Sequence, residues 1–255
     1  MATLTANQEV RRTALDRDVA MRLAATEYDR VLTVLRDLPA EAWTRPSGCP
    51  GWDVRQLAAH LLGMAEMASG IPEQIRQLRK AKKAGGVFID ALTGLQVAER
   101  ASMTPAEITD RYAVMGPKAA RNRKRTPGFI RSRTMGDLQP VGGKPGSLYE
   151  KWAMGYLIDT ILTRDQWLHR TELCAAGGLV MELTADHDGA LVADVVRDWA
   201  ERHGRPCTLV LTGPAGGTWS FGSGGESLEL DAVEFCRILA GRGEATGLLA
   251  IEVPF

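Results

Sequence analysis

Apolar residues recur at helical spacing through most of the chain, and the places where the rhythm breaks mark its elements. From residue 7 to 38, Val19, Met21, Leu23, Tyr28, Val31 and Leu35 stand among charged positions at helical intervals, which predicts one helix ended by Pro39. The segment TRPSGCPGW, with Pro46, Gly48, Pro50 and Gly51, reads as a turn. Asp53 then offers an N-cap, Gln56 sits three residues on to complete a capping box, and Trp52 is placed to staple against Leu57. On the helix so opened Leu57, His60, Leu61 and Met64 share one face, so His60 points inward.

Further along, helical pieces are expected around Glu73 to Lys83 and from Thr104, with Pro105 at the first helical position, to about Ala120. The basic stretch KAARNRKRTPGFIRSR runs into the glycine-rich VGGKPGS, which predicts an exposed loop. A long helix is expected to start at Ser147, with Glu150 completing its capping box, and to end at Gly177/Gly178. Its apolar stripe holds Met154, Ile158, Ile161 and Leu162. At 100° per residue, Asp165, His169 and Glu172 fall within about 40° of Ile158 on that stripe. After Gly178 the texture changes. Residues 186 to 202 read as helix, CTLVLTG, TWSFG and LLAIEVP as short strands, and DAVEFCRILAGR as an amphipathic helix. The expected organisation is a helical domain over 1–178 and a small α/β domain over 179–255.

Ionisable side chains on core-facing stripes are costly to bury unless something pairs with them. Asp165 and His169 are four residues apart, which on a helix brings their Cβ atoms to about 5–6 Å and lets both hold one ion. His60 from a neighbouring helix supplies a third ligand, and three protein ligands leave a coordination position open for chemistry. Ordinary structural explanations stand beside this one: a hydrogen-bonded core histidine, and an i,i+4 ion pair on a helix surface. His187, in the polar ADHDG helix start, and His203, at a helix end, fit such roles.

Lysine plus arginine balances aspartate plus glutamate at 31 each, so no net field draws nucleic acid or anionic membrane, and the basic stretch lacks interleaved aromatics. Cys49, Cys174, Cys207 and Cys236 form no CxxC pair and read as reduced thiols, with Cys49 packed in its turn. No apolar run reaches the length of a membrane span, and MATLTANQEVRR lacks the apolar core of a secretory leader; the expected location is cytoplasmic.

PSGCPGWDVRQLAAHLLG resembles the helix-entry motif of the mycothiol-dependent maleylpyruvate isomerase family, a branch of the DinB-like metal-binding bundles. RDQWLHRTEL is similar to that family's second motif, where a glutamate precedes a histidine by four residues with a tryptophan between. ELDAVEFCRILAGR is similar to its small C-terminal α/β domain. The resemblance implies an α+β protein: an N-terminal DinB-like four-helix bundle followed by a small α/β domain that closes over the site. It implies a divalent metal, zinc first among candidates, on His60, Asp165 and His169, and mycothiol as cosubstrate. Asp165 is one methylene shorter than the family's glutamate, which leaves Glu172 as an alternative carboxylate.

The reaction so implied is cis–trans isomerisation, or thiol transfer, on a small-molecule electrophile. Arg242, in LAGR, falls where the family presents an arginine to the cleft, and equally at a helix C-terminus where a cation suits the dipole. Rival readings are a non-catalytic small-molecule-binding bundle with a decayed metal site, and a metal-assisted hydrolase.

Overall fold

The computed structural model describes residues 7–137, 139–141 and 148–255. In chain order its elements are β1 (Asn7–Arg11), α1 (Arg17–Asp37), α2 (Val54–Ser69), α3 (Ile71–Ala84), α4 (Phe88–Glu99), α5 (Pro105–Arg125) and α6 (Gly128–Arg131). There follow β2 (Gln139–Pro140), β3 (Tyr149–Trp152), α7 (Met154–Tyr156), α8 (Leu162–Gly177), α9 (Ala190–His203), β4 (Cys207–Thr212), β5 (Gly217–Phe221), β6 (Glu226–Asp231) and α10 (Ala232–Leu239). Wide π-helical turns, Leu157–Ile161 and Ala185–Gly189, lead into α8 and α9. The chain divides into two compact units, one of Asp18–Pro127 with His169–Met181, the other of Met1–Arg17, Gly128–Leu168 and Glu182–Phe255.

The first unit is a four-helix bundle. Tyr28, Val31 and Leu35 from α1, Leu57, Leu61 and Ala65 from α2, Ile108, Tyr112 and Ala119 from α5, and Leu173 from α8 form one buried cluster. Two helix starts are fixed by reciprocal caps. The Gln56 N–H donates to Asp53 Oδ1 at 2.7 Å while the Asp53 N–H donates to Gln56 Oε1 at 2.9 Å, and Thr104 and Glu107 do the same for α5. Helices α3 and α4 pack against each other and on α2. At Gly63 of α2 the approach is so close that a Cβ would stand 2.6 Å from Gln96 Cβ. Arg170 and Glu27, both 1% exposed, pair inside the bundle at 2.7 Å, and Glu66 is held by Arg100 and Arg111.

In the second unit β3 lies between β1, to which it is parallel, and β2, to which it is antiparallel. A separate sheet has the order β5-β4-β6, with β4 antiparallel to β5 and parallel to β6. Cys207, Leu209 and Leu211 alternate along β4 and are buried, the period expected of a half-covered strand. Asp231 ends β6 and caps α10, its Oδ1 accepting from the N–H groups of Val233 and Glu234. Arg164, 1% exposed, is clasped by Asp194 at 2.6 Å and Asp198 at 2.9 Å, and the Tyr156 hydroxyl donates to Asp198 at 2.5 Å. The α+β class read from the sequence is the observed one: a helical bundle and a small sheet-containing C-terminal region.

Several local expectations are corrected. Residues 7–11 form a strand rather than the start of a helix, because they pair with β3, and α1 begins at Arg17. The helix start expected at Ser147 lies outside the described residues. Its partner Glu150 belongs to β3, where its carboxylate accepts from Trp152 Nε1 at 2.7 Å, and the helical run begins at Met154. The basic stretch is mostly helix, in α5 and α6, with Arg123 and Arg131 buried and Arg131 paired to Asp159. LLAIEVP forms a 3₁₀ turn over Gly247–Ala250, and the third strand is ESLELD instead.

Candidate metal centre

His60 lies in the middle of α2 and is 3% exposed; its ring centroid is 5.5 Å from that of Trp52 and 5.3 Å from that of His169. The two imidazoles meet edge to face at 87°. Trp52 is held where the entry turn delivers it, packed against the bundle core just before the Asp53 cap. Each histidine has a partner at Nδ1. His60 Nδ1 is 2.8 Å from Gln96 Oε1, and His169 Nδ1 is 2.6 Å from Glu172 Oε2. A carboxylate accepts only, so His169 Nδ1 carries the hydrogen of that bond and a neutral ring has its lone pair on Nε2. Metal-binding histidines are held in this way, one nitrogen for the ion and the other bonded to an acceptor that fixes the ring.

Asp165 is half-buried, one turn before His169 on the same helix. The donor atoms of His60, Asp165 and His169 lie within 4.8 Å of one another. Among the described residues a second set of donors, Cys49, His169 and Glu172, meets the same limit and shares His169. The two sets differ in what an ion must displace. In the second, the 2.6 Å bond between His169 and Glu172 already occupies the facing atoms. In the first, that same bond presents the opposite nitrogen of His169. Donors about 2.1 Å from one ion in tetrahedral geometry stand about 3.4 Å apart, so donors within 4.8 Å would close on an ion by moving together by about 1.4 Å at most. The donor chemistry of His60, Asp165 and His169 therefore fits a divalent cation. Glu172 Oε2 faces His169 Nδ1 at 2.6 Å.

Cys49 has a larger part than turn packing. Its thiol donates to Glu172 Oε2 at 3.5 Å, and Sγ lies 3.8 Å from His169 Nδ1. Gly48 beside it has no side chain because Glu172 is there: a Cβ would sit 2.5 Å from Glu172 Cγ. The other cysteines are withdrawn from chemistry by burial, which pushes the Cys174 thiol up to about 11, Arg170 opposing and Glu27 adding. Burial also raises Cys207 and Cys236.

The remaining candidates belong to other elements of the chain. Arg242 is half-buried in the turn after α10, its N–H donating to the Arg237 carbonyl at 2.8 Å, which closes the end of that helix. His187 is buried in the π turn before α9. His203 is not the dipole-facing cation its position promised: burial and then Arg205 lower its pKa, and its Nδ1 accepts from the Arg205 N–H at 3.0 Å.

Gln96, Cys49, Gly48 and Gly63 went unnoticed as parts of the site. Gln96 left one faint signal, a polar residue four positions from Leu92 on a short apolar helix. The glycines left none, since only the contacts they permit explain them.

The model of the mycothiol maleylpyruvate isomerase N-terminal domain matches residues 24–174, more than half of the chain. Two solved structures are similar. One is described as the mycothiol-dependent maleylpyruvate isomerase, with TM-score 0.56 and 14% identity over 90% of each chain. The other is a histidine-to-alanine variant of an enzyme of that description, with TM-score 0.55 and 13% identity over 90% of each chain. No curated protein matches significantly.

Proposed function

Because this chain belongs to the mycothiol maleylpyruvate isomerase N-terminal domain family, we propose that it is a metal-dependent enzyme that uses a low-molecular-weight thiol, mycothiol, to isomerise or conjugate a small electrophile. The observation that carries the reading is the pair of buried histidines 5.3 Å apart, each with Nδ1 against a fixed acceptor and Asp165 beside them. His60, His169 and Asp165 would hold a divalent cation, zinc by the preference of an imidazole-and-carboxylate set. Such an ion, when bound, offers an open position at which a thiol is deprotonated.

The chain's own residues do the rest. Gln96 and Glu172 keep both rings in the orientation of ligands, and Asp165 contributes negative charge beside them. Trp52 covers one side of His60 and limits water there. For isomerisation the thiolate sulfur forms a bond to one carbon of an activated double bond, and the remaining single bond rotates. The carbon–sulfur bond then breaks to return the thiolate, with no net redox change. Arg242 is assigned to the substrate carboxylate on the family resemblance alone.

Elemental analysis of protein purified without chelators or a metal-binding tag is expected to find one divalent ion per chain, lost in His60→Ala and His169→Ala. Asp165→Glu should bind at least as tightly as the wild type, since a longer arm reaches an ion with less adjustment. Turnover of a cis-unsaturated acid should need metal and thiol together. Turnover without thiol would instead identify a hydrolase, and ligand binding by metal-free protein without turnover a binding module. Full metal retention in both histidine variants would sink the site.

A further inference from the structure

We propose that Gln96 and Gln77 are positioning residues that fix which nitrogen of His60 carries the proton, through a chain of amides whose direction is set at Glu73. The tautomer part of this stands on hydrogen bonds alone. Its consequence for metal rests on the function proposed above.

The polarity of the chain can be read from its far end. Glu73 and the Gly63 carbonyl present acceptors only, and both meet Gln77 Nε2, which donates to Glu73 Oε1 at 2.8 Å and to Gly63 O at 3.2 Å. Glu73 stays ionised: hydrogen bonds from Arg76 lower its pKa, burial opposes, and Gln77 adds to the lowering. With its nitrogen committed, Gln77 turns its oxygen to Gln96, whose Nε2 donates to it at 2.9 Å and also contacts Met64 Sδ at 3.3 Å. Gln96 is thereby left with Oε1 towards His60 Nδ1, at 2.8 Å. An amide oxygen accepts, so Nδ1 holds the hydrogen and the lone pair is on Nε2.

Three features make this a built relay rather than a chance contact. Gln77 and Gln96 are both fully buried, where an amide with unmet hydrogen bonds costs about 1–3 kcal/mol, so neither flips without breaking several bonds at once. Arg76 is in turn tied to Glu99 at 2.6 Å, which holds the terminal carboxylate's partner in place. And α2 is glycine at residue 63, which lets Gln96 come close enough to reach the ring. A reversed Gln96 would offer its NH₂ to Nδ1 and force the hydrogen onto Nε2, the nitrogen a metal needs bare. His60 thus has an amide for the purpose that Glu172 serves at His169.

The test uses the full chain without metal, at a pH where the ring is neutral. Long-range ¹H–¹⁵N correlation spectra report the protonated nitrogen of His60 directly. The wild type should show Nδ1–H. Gln96→Glu keeps an acceptor at that point and should keep the tautomer, whereas Gln96→Met removes it and Gln77→Met frees Gln96 to turn, so both should shift His60 towards Nε2–H. In chelator competition, zinc affinity should fall about 10–100-fold in Gln96→Met, as for other groups that orient a ligand from behind, and stay within about threefold of wild type in Gln96→Glu. Nε2–H in the wild type overturns the relay whatever the variants do, as does an Nδ1–H signal unchanged in both methionine variants. A wild type that shows Nδ1–H but binds no zinc leaves the relay standing and removes the metal reading instead.

Discussion

Replacing Gly63 by alanine sets two effects of known size against each other. In a helix interior alanine is better than glycine by about 0.5–1 kcal/mol, so propensity alone predicts a gain. The structure predicts a loss. The new Cβ would stand 2.6 Å from Gln96 Cβ and 2.7 Å from Cγ, with Arg100 Nη1 at 3.1 Å. Those carbons are next to the α4 backbone, so no swing of a flexible tail relieves the overlap. Recovering an ordinary 3.4 Å contact from 2.6 Å requires α2 and α4 to part by about 0.8 Å. That stretches the 2.8 Å bond between Gln96 and His60 to about 3.6 Å, beyond hydrogen-bond range. Overpacking costs about 1–3 kcal/mol, and a buried polar pair left unmade about 1–3 more. After the propensity gain the net is a destabilisation of about 3 kcal/mol. For a chain of this length that lowers Tm by about 6–12 °C. Gly94 is the internal control: it is inside α4 with nothing within 4 Å of where its Cβ would go, so Gly94→Ala should be stabilised by about 0.5–1 kcal/mol. Thermal unfolding of the metal-free variants by circular dichroism reads both signs. A Gly63→Ala protein as stable as Gly94→Ala would show that α2 and α4 are not in the contact described.

Two further outcomes are expected. Burial raises the Asp198 carboxyl, but Arg164, Arg202 and the Tyr156 hydroxyl outweigh it and hold the pKa at about 2, below the ordinary value of an aspartate; the stability this confers, about 2 kcal/mol, is complete above pH ~4 and lost as pH falls through ~2. Urea unfolding should therefore show the advantage of wild type over Asp198→Asn shrinking across that window, and a constant gap would contradict the assignment. If Arg242 binds a substrate carboxylate, Arg242→Lys loses a bidentate fork and kcat/KM should fall at least about tenfold at unchanged metal content, whereas wild-type kinetics would leave it as a helix-end residue.

What could be read from the sequence was whatever depends on neighbours along the chain. The Asp53–Gln56 box is spelled out within four residues and forms as read; Thr104 followed by Pro105 reads as a helix start, and the structure adds the box with Glu107. Inward placement of His60 follows from the stripe it shares with Leu57 and Leu61, and all three are buried. The reading failed where partners come from afar. On helix α8 the stripe placed His169 and Glu172 inward, and both are buried, but the helix is covered nearly all round and the partners of its polar residues could not be read: Arg164 meets Asp194 and Asp198, Trp167 meets Asp188, His169 meets Glu172 and Arg170 meets Glu27. Glu150 looked like a capping residue because Ser147 stands three before it, yet its surroundings are set by β1, β2 and Arg202. Nothing near Gln96 in the chain announces that it faces His60, 36 residues away.

The π turn at Leu157–Ile161 bears on how the chain tolerates changes of length. Its closing bond runs from the Leu162 N–H back five residues to the Leu157 carbonyl, one residue more than an α turn encloses. Everything after it is therefore advanced by one position relative to everything before. Substitutions inside the turn keep that offset. Deleting a single residue from it would let the Leu162 N–H close on the same carbonyl as a regular α turn, with Asp165, His169 and Glu172 left facing as they do. The turn thus marks a place where the chain carries one residue more than a regular helix needs, so the loss of one residue is absorbed there while the donors of α8 keep their direction.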